Sequence, residues 1–230
     1  MNGHDELQEL GRASGAHGEV VLRRRGAVTE LVVDGVFAMD DVDTSTERAL
    51  ATEALARCTG DRLRVLVGGL GLGWTAATAL ADPRVAAVDV AELQAPLVGW
   101  ARRGLLPALP LDDPRLALHV TDVAEALVAA PGRYDAVLLD VDNGPGFLVH
   151  GSNARLYAAA GLATALAALR PGGVLAIWSS DPVPELAARL RALPHTAGVE
   201  HLVLPVERDR RRFDYAVVLA RTAQPSSRGR

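Results

Sequence analysis

The stretch Val65-Leu66-Val67-Gly68-Gly69-Leu70-Gly71-Leu72-Gly73-Trp74 limits what this chain can become more than any other. An apolar strand runs into closely spaced glycines and then into a helix that opens at Trp74. Glycine lets a backbone turn sharply and approach a bound group closely. A helix N-terminus turns free N–H groups toward that group. A strand–loop–helix unit of this kind belongs to an α/β architecture, in which a helical crossover carries the chain to a parallel neighbour. Taken alone, the glycine run also fits a tight turn with no ligand.

The rest of the chain repeats the alternation. Strands are predicted at 63–67, 85–90, 116–120, 134–140, 174–179, 199–204 and 213–220. Helices are predicted at 44–58, 74–81, 93–103, 123–129, 153–169 and 184–193. Ala136-Val137-Leu138-Leu139 is continuously apolar, as a strand covered on both faces must be. Only a short charged connection separates the last two strands, which predicts an antiparallel hairpin at a sheet edge. Two further β-like runs, 19–23 and 28–33, and an extended piece at 35–39 come first. Thr44 and Glu47 have the spacing of a capping box at a helix start. The predicted organisation is an N-terminal β-hairpin segment over 1–43, a Rossmann-like domain over 44–221 and a disordered tail over 222–230. The sheet is mostly parallel with a C-terminal antiparallel hairpin, and residues 1–17 are expected to be frayed.

Hydrophobic residues make up 49% of the 230, but aromatics only 4%, so Leu, Val and Ala must fill the core. A formal net charge of -4 argues against a protein that coats nucleic acid. There is neither an apolar run of membrane-spanning length nor a secretory signal pattern at the first residues, so a cytoplasmic protein is expected. The single cysteine, Cys58, rules out an internal disulfide and reads as a small buried hydrophobe. His17, His119, His150, His195 and His201 show no common ligand spacing, so no metal site is expected. The basic clusters at 23–25 and 208–212 read as solvated turn charges.

Carboxylates at strand ends carry the functional reading. Glu92 closes the strand after the glycine loop, nineteen residues beyond Gly73. A carboxylate there can accept both hydroxyls of a ribose lying over the loop. The glycines at 69, 71 and 73 do not have the spacing of the dinucleotide fingerprint, which favours an adenosyl ligand. Asp89, within the same strand, is the competing acid. Asp122 either faces an adenine amino group or caps the next helix. Asp140 ends the apolar strand beside Val141-Asp142-Asn143-Gly144-Pro145-Gly146, a loop rich in turn formers and therefore a candidate site. The acids Asp40, Asp41 and Asp43 read first as a solvated turn. Together with Asp142 and Asp181 they become candidates for a polycation channel if the N-terminal segment covers the cleft.

These motifs, in this order, resemble the spermidine synthase family, the polyamine aminopropyltransferases within the wider class I methyltransferase fold. Leu31-Val32-Val33-Asp34-Gly35-Val36 is similar to the family's N-terminal signature, and residues 68–73 to its glycine loop. Val90-Ala91-Glu92-Leu93 resembles the segment whose Glu holds the ribose. Thr121-Asp122-Val123 resembles the one whose Asp lies near adenine. Arg133-Tyr134-Asp135-Ala136-Val137-Leu138-Leu139-Asp140 is similar to the strand that delivers the catalytic Asp. The resemblance implies Asp140 as catalytic residue and a donor site built from Gly68, Gly69, Gly71, Gly73, Glu92 and Asp122. It implies acceptor contacts from Asn143 or the neighbouring Asp142, with S-adenosylmethionine or its decarboxylated form as donor; Tyr157 either lines the acceptor pocket or packs the helix over 153–169. A small-molecule amine is the candidate acceptor, with no nucleic acid or membrane partner, and a homodimer is the implied assembly.

The sequence departs from that family in ways that bear on substrate. Gly71 stands where the family carries an Asp that reads the aminopropyl ammonium. Ala38 replaces a Gln, and the family's His-Glu pair has no clear equivalent around Thr46 and Glu47. Asn143 occupies the second Asp position of the catalytic loop. Two other readings therefore remain open: a small-molecule methyltransferase on the same scaffold, and a catalytically silent adenosyl-binding protein.

Overall fold

A computed structural model describes residues 6–15, 17–141, 144, 153–208 and 210–224. Four N-terminal strands, β1 (Leu7–Gly15), β2 (Gly18–Arg25), β3 (Val28–Val33) and β4 (Val36–Asp40), form an antiparallel sheet in sequence order. The expectation of a frayed start is corrected: β1 pairs along β2 from Leu7↔Arg25 to Gly15↔Gly18, with one register shift. Backbone pairing orders this Gly- and Ala-containing segment even though its side chains are mostly exposed or half-buried.

The second sheet has seven strands. In chain order they are β5 (Leu63–Gly68), β6 (Val85–Glu92), β7 (Leu116–Val120), β8 (Tyr134–Leu139), β9 (Leu169–Ser179), β10 (Thr196–Arg208) and β11 (Arg211–Thr222). Their spatial order is β10-β11-β9-β8-β5-β6-β7. Neighbours from β9 to β7 run parallel, while β11 is antiparallel to both β9 and β10. The predicted edge hairpin is present, and the central strands read as continuous apolar runs because both faces are covered. Helices α1 (Ser45–Ala56), α2 (Trp74–Ala81), α3 (Ala95–Arg102), α4 (Val123–Val128), α5 (Ala154–Tyr157), α6 (Ala159–Ala167) and α7 (Pro184–Arg191) supply that cover.

The predicted helix over 153–169 is in fact two helices. Ala158 breaks the run in an extended conformation, with φ −70 and ψ 157. The chain then folds back so tightly that a Cβ on Gly161 would lie 2.1 Å from the Arg155 carbonyl oxygen. No proline announces this break in the Ala-rich sequence.

The chain reverses direction across the sheet between β5 and β8: β6 and β7 lie on one side, β9 on the other. Open α/β sheets bind ligands beyond the strand C-termini at such a switch point. The N-terminal sheet is joined to this end of the fold. Val20, Leu22, Leu31 and Val33 belong to the same buried cluster as Val65, Val67 and Leu97. The Gln94 side-chain amide donates to the His17 carbonyl at 2.6 Å, fixing the β1–β2 turn near the start of α3. Among the described residues no helix is long and apolar enough to cross a membrane.

Candidate active site

The ends of β5 and β8 meet at Gly69 and Asp140. The Asp140 N–H donates to the Gly68 carbonyl at 2.8 Å. Gly69 has φ +91, and a Cβ there would lie 2.1 Å from the Asp140 backbone oxygen. Only glycine allows both the left-handed backbone and this approach. The loop thus sets how close Asp140 comes to the switch point.

Glu92 is the last residue of β6 and is buried. Its Oε2 accepts from the Leu70 N–H at 2.8 Å, and its Oε1 from the Gln94 N–H at 2.7 Å. The carboxylate therefore shapes the glycine loop as well as facing the cavity.

A cavity lies over this end of the sheet. Gly69, Gly71, Glu92, Asp122 and Asp140 all line it. Ala91, Leu93, Leu97 and Val123 give it apolar walls, and Ala38 and Met39 of β4 reach it from the N-terminal sheet. Mostly apolar walls with a few convergent acids fit a nucleoside, whose base is flat and whose ribose is polar. Gly68 and Gly73 are not on the cavity surface. Gly73 caps α2 with φ 91.

Asp122 follows β7 and opens α4. It caps α4 by accepting from the Ala124 N–H at 2.8 Å, and it also lines the cavity. Its second oxygen is bound by Arg155. Asp89 is excluded from the cavity wall. It bonds Tyr134 Oη and His119 Nε2, each at 3.1 Å, and pairs with Arg133. Tyr157 is buried outside this cavity, and its hydroxyl donates to the Val141 carbonyl at 2.9 Å. Asp142, Asn143 and His150 lie outside the described residues.

Asp140 accepts a short hydrogen bond from Thr75 Oγ1 at 2.5 Å. Burial pushes its carboxyl up to about 6, against which the Thr75 bond works by favouring the ionised form. Glu47 is a further acid on the same cavity, one that the sequence suggested only as a helix-cap partner. It is 8% exposed. Burial first, and then repulsion from Asp140, pushes its carboxyl up to about 7.

The capping-box expectation is corrected: Thr44 makes no side-chain cap, and Glu47 accepts instead from Thr46 Oγ1 at 2.8 Å. Asp43 takes the helix-start contact by accepting from the Ser45 N–H at 2.9 Å. The acidic turn is not simply solvated either. Asp40 is buried and ion-paired to Arg208, and Asp41 accepts from the Thr29 N–H at 2.8 Å.

The strand order and the carboxylate-ended strands around one cavity define a Rossmann-like protein of the class I methyltransferase type. No family model matches the chain. A polyamine aminopropyltransferase of Nitrosomonas europaea is 30% identical over 173 residues, covering 73% of this chain and 51% of that protein. One from Mycobacterium tuberculosis is 30% identical over 197 residues, covering 83% of this chain and 36% of that protein. Two solved structures share the fold. A spermidine synthase in complex with the transition state analogue AdoDATO has a TM-score of 0.76 at 16% identity, over 95% of this chain and 75% of the other. The spermidine synthase from Thermotoga maritima has a TM-score of 0.75 at 14% identity, over 95% and 74%. The chain is similar in sequence to polyamine aminopropyltransferases and shares the fold of the spermidine synthases. It spans about half or less of the length of the curated relatives it matches.

Proposed function

We propose that the chain is a transferase that moves an aminopropyl group from decarboxylated S-adenosylmethionine to an amine. The observation that carries this reading is the placement of Asp140 at the switch point, on one cavity with Glu92. In this reading Glu92 holds the ribose hydroxyls, Asp122 stands at the adenine edge and the glycine loop underlies the adenosyl group. The relatives named polyamine aminopropyltransferase, and the neighbour solved with a transition state analogue, support the donor and the reaction class.

The chemistry is a displacement at a carbon bonded to a sulfonium. The amine nitrogen forms a bond to that carbon as the C–S bond breaks, and the electron pair stays on sulfur, which leaves as a neutral thioether. The attacking nitrogen gives its proton to the Asp140 carboxylate. Holding amine and donor in line supplies most of the rest. Asp142 and Asn143 are proposed acceptor contacts. Tyr157, through its bond to Val141, positions the chain just after Asp140. A cytoplasmic homodimer completes the proposal.

One observation favours use of the full donor as well. Gly71 carries no carboxylate, and a Cβ there would lie 2.7 Å from Met39 Sδ. The space is taken by a thioether, so nothing at this position repels the carboxylate of S-adenosylmethionine.

Incubation with each donor and a short amine, followed by product mass analysis, tests the reading. Methylthioadenosine from the decarboxylated donor is the expected result. Adenosylhomocysteine from the full donor would replace aminopropyl with methyl transfer. Donor binding with no product would leave a silent binding protein.

A further inference from the structure

The cavity over the switch point is unbalanced in charge. Four acids line it, Glu47, Glu92, Asp122 and Asp140, and among the described residues no lysine, arginine or histidine does. A buried carboxylate is costly unless a cation or several N–H groups meet it. Glu92 and Asp122 are met in this way. Glu92 accepts from the Leu70 and Gln94 N–H groups, and Asp122 from the Ala124 N–H, with Arg155 on its other oxygen. Asp140 and Glu47 differ. Each accepts from a neutral hydroxyl, Thr75 and Thr46 respectively, and among the described residues no ion pair reaches either.

These two acids are held near each other. Thr75 Oγ1 lies 2.5 Å from Asp140 Oδ2 and 3.5 Å from the Glu47 carbonyl oxygen, so one hydroxyl joins α1 to the end of β8. Repulsion from Asp140 adds to burial in pushing the Glu47 carboxyl up to about 7. On its other side Glu47 lines a second cavity with Asp40, Asp43, Asp181, Tyr215 and Arg208. Arg208 is the one basic side chain among the described residues there, and it is paired with Asp40. The glycine loop brings no charge of its own, because Met39 Sδ fills the space beside Gly71. A positive group on a ligand lying over this loop therefore finds its carboxylates on Glu47 and Asp140.

The donor of the proposed reaction carries two positive centres: a sulfonium and, three carbons further along, a primary ammonium. Asp140 is engaged by the attacking amine. The ammonium is left to Glu47.

We propose that Glu47 is a specificity-determining residue whose carboxylate pairs with the primary ammonium at the end of the donor's transferable chain. The inference rests on the adenosyl-donor reading of the site and deepens it. The ammonium donates N–H bonds to the carboxylate, and a nearby cation favours the ionised acid, so a proton leaves Glu47 as the donor binds. Full S-adenosylmethionine carries the same ammonium, so the contact serves either donor. A Glu47 that only packs α1 against the sheet would treat adenosyl ligands with and without the ammonium alike.

Three adenosyl probes separate the charges. Decarboxylated S-adenosylmethionine has sulfonium and ammonium, 5′-deoxy-5′-(dimethylsulfonio)adenosine has the sulfonium alone, and methylthioadenosine has neither. Each is titrated calorimetrically, with no amine present, into wild type, Glu47→Gln and Glu47→Asp. Wild type is expected to bind the decarboxylated donor about tenfold more tightly than the dimethylsulfonio compound, the weight of one charge-assisted hydrogen bond. Glu47→Gln is expected to erase that ratio and leave the affinities for the other two probes in place. Glu47→Asp keeps the charge and is expected to keep part of the ratio. At about pH 6 the Glu47 carboxyl is mostly protonated, so wild type should release more protons with the decarboxylated donor than with the dimethylsulfonio compound. The release is read by repeating the titration in two buffers of different ionisation heat. It needs no variant, so it decides the question if Glu47→Gln does not fold. Equal wild-type affinities for the two sulfonium probes, an equal loss for all three probes in Glu47→Gln, or equal proton release would overturn the proposal. Methylthioadenosine keeps the two readings apart. If it binds and no ammonium preference is seen, the Glu47 contact fails alone; if none of the three probes binds, the adenosyl-donor reading fails and the contact with it.

Discussion

The Thr75 hydroxyl donates to Asp140 Oδ2 at 2.5 Å, joining the second residue of α2 to the carboxylate that follows β8. This bond connects the glycine loop, which places α2, with the acid at the switch point. It favours ionised Asp140, against the burial that favours the neutral form. Thr75→Val keeps the shape and removes the donor. The acid limb of the turnover–pH profile is expected to move to higher pH, with lower turnover at pH 6 and partial recovery above pH 8. A profile unchanged in position would separate Thr75 from Asp140 ionisation.

Burial places Asp140 at about 6 and Glu47 at about 7, both above ordinary carboxyl values. The proposed base must be ionised, so turnover is expected to rise with pH across that interval, with an apparent value that belongs to the pair. Stability should run the other way. Between the ordinary values and these raised ones the folded protein binds more protons than the unfolded chain, so the contribution of these two acids to stability falls as pH rises from about 4 to 7. Comparing denaturant midpoints of wild type and Asp140→Asn across this range checks the sign. The Asn variant should lose less stability over that rise.

Glu92→Ala is expected to weaken adenosyl-ligand binding by ~1.5–3 kcal/mol, because a charged hydrogen-bond acceptor is lost. It also removes the acceptor of the Leu70 and Gln94 N–H groups, so its melting temperature should fall too. Calorimetry on the folded fraction distinguishes the two effects. Equal ligand affinity in wild type and variant would remove Glu92 from the ribose.

Gly71→Asp places a carboxylate where the family carries one. Gly71 has φ +51, and the new Cβ would crowd Met39 Sδ. A side chain in that backbone region costs about 1–3 kcal/mol. The single variant is therefore expected to melt lower with little change in donor preference. With Met39→Ala added, affinity should shift toward the decarboxylated donor. Donor titrations on both variants check this, and a shift in the single variant alone would show that Met39 already yields.

What the sequence made legible follows from how local the signals are. Gly69, Glu92 and Asp140 each sit at the end of a strand whose apolar run marks where it stops. The topology then gathers those ends on one cavity. Glu47 was hidden because its spacing from Thr44 matches a helix cap, and only the packing of α1 over the sheet turns it toward Asp140. Arg208 was hidden for a similar reason. A charged residue near a hairpin reads as solvated until a strand 168 residues away presents Asp40. Strand β1 escaped notice because its order comes from backbone pairing with β2, which leaves little trace in side-chain pattern.

The most direct measurement is made on Asp140→Asn, with turnover, donor affinity and melting temperature read on one preparation. Asn keeps the shape but cannot take the proton. Turnover is expected to fall by about 10²–10⁴-fold, the usual range for loss of a general base. Donor affinity should change far less, because Glu92 and Asp122 remain. A variant that melts lower yet turns over at the wild-type rate per folded molecule would contradict the account, leaving Asp140 a residue that only shapes the loop.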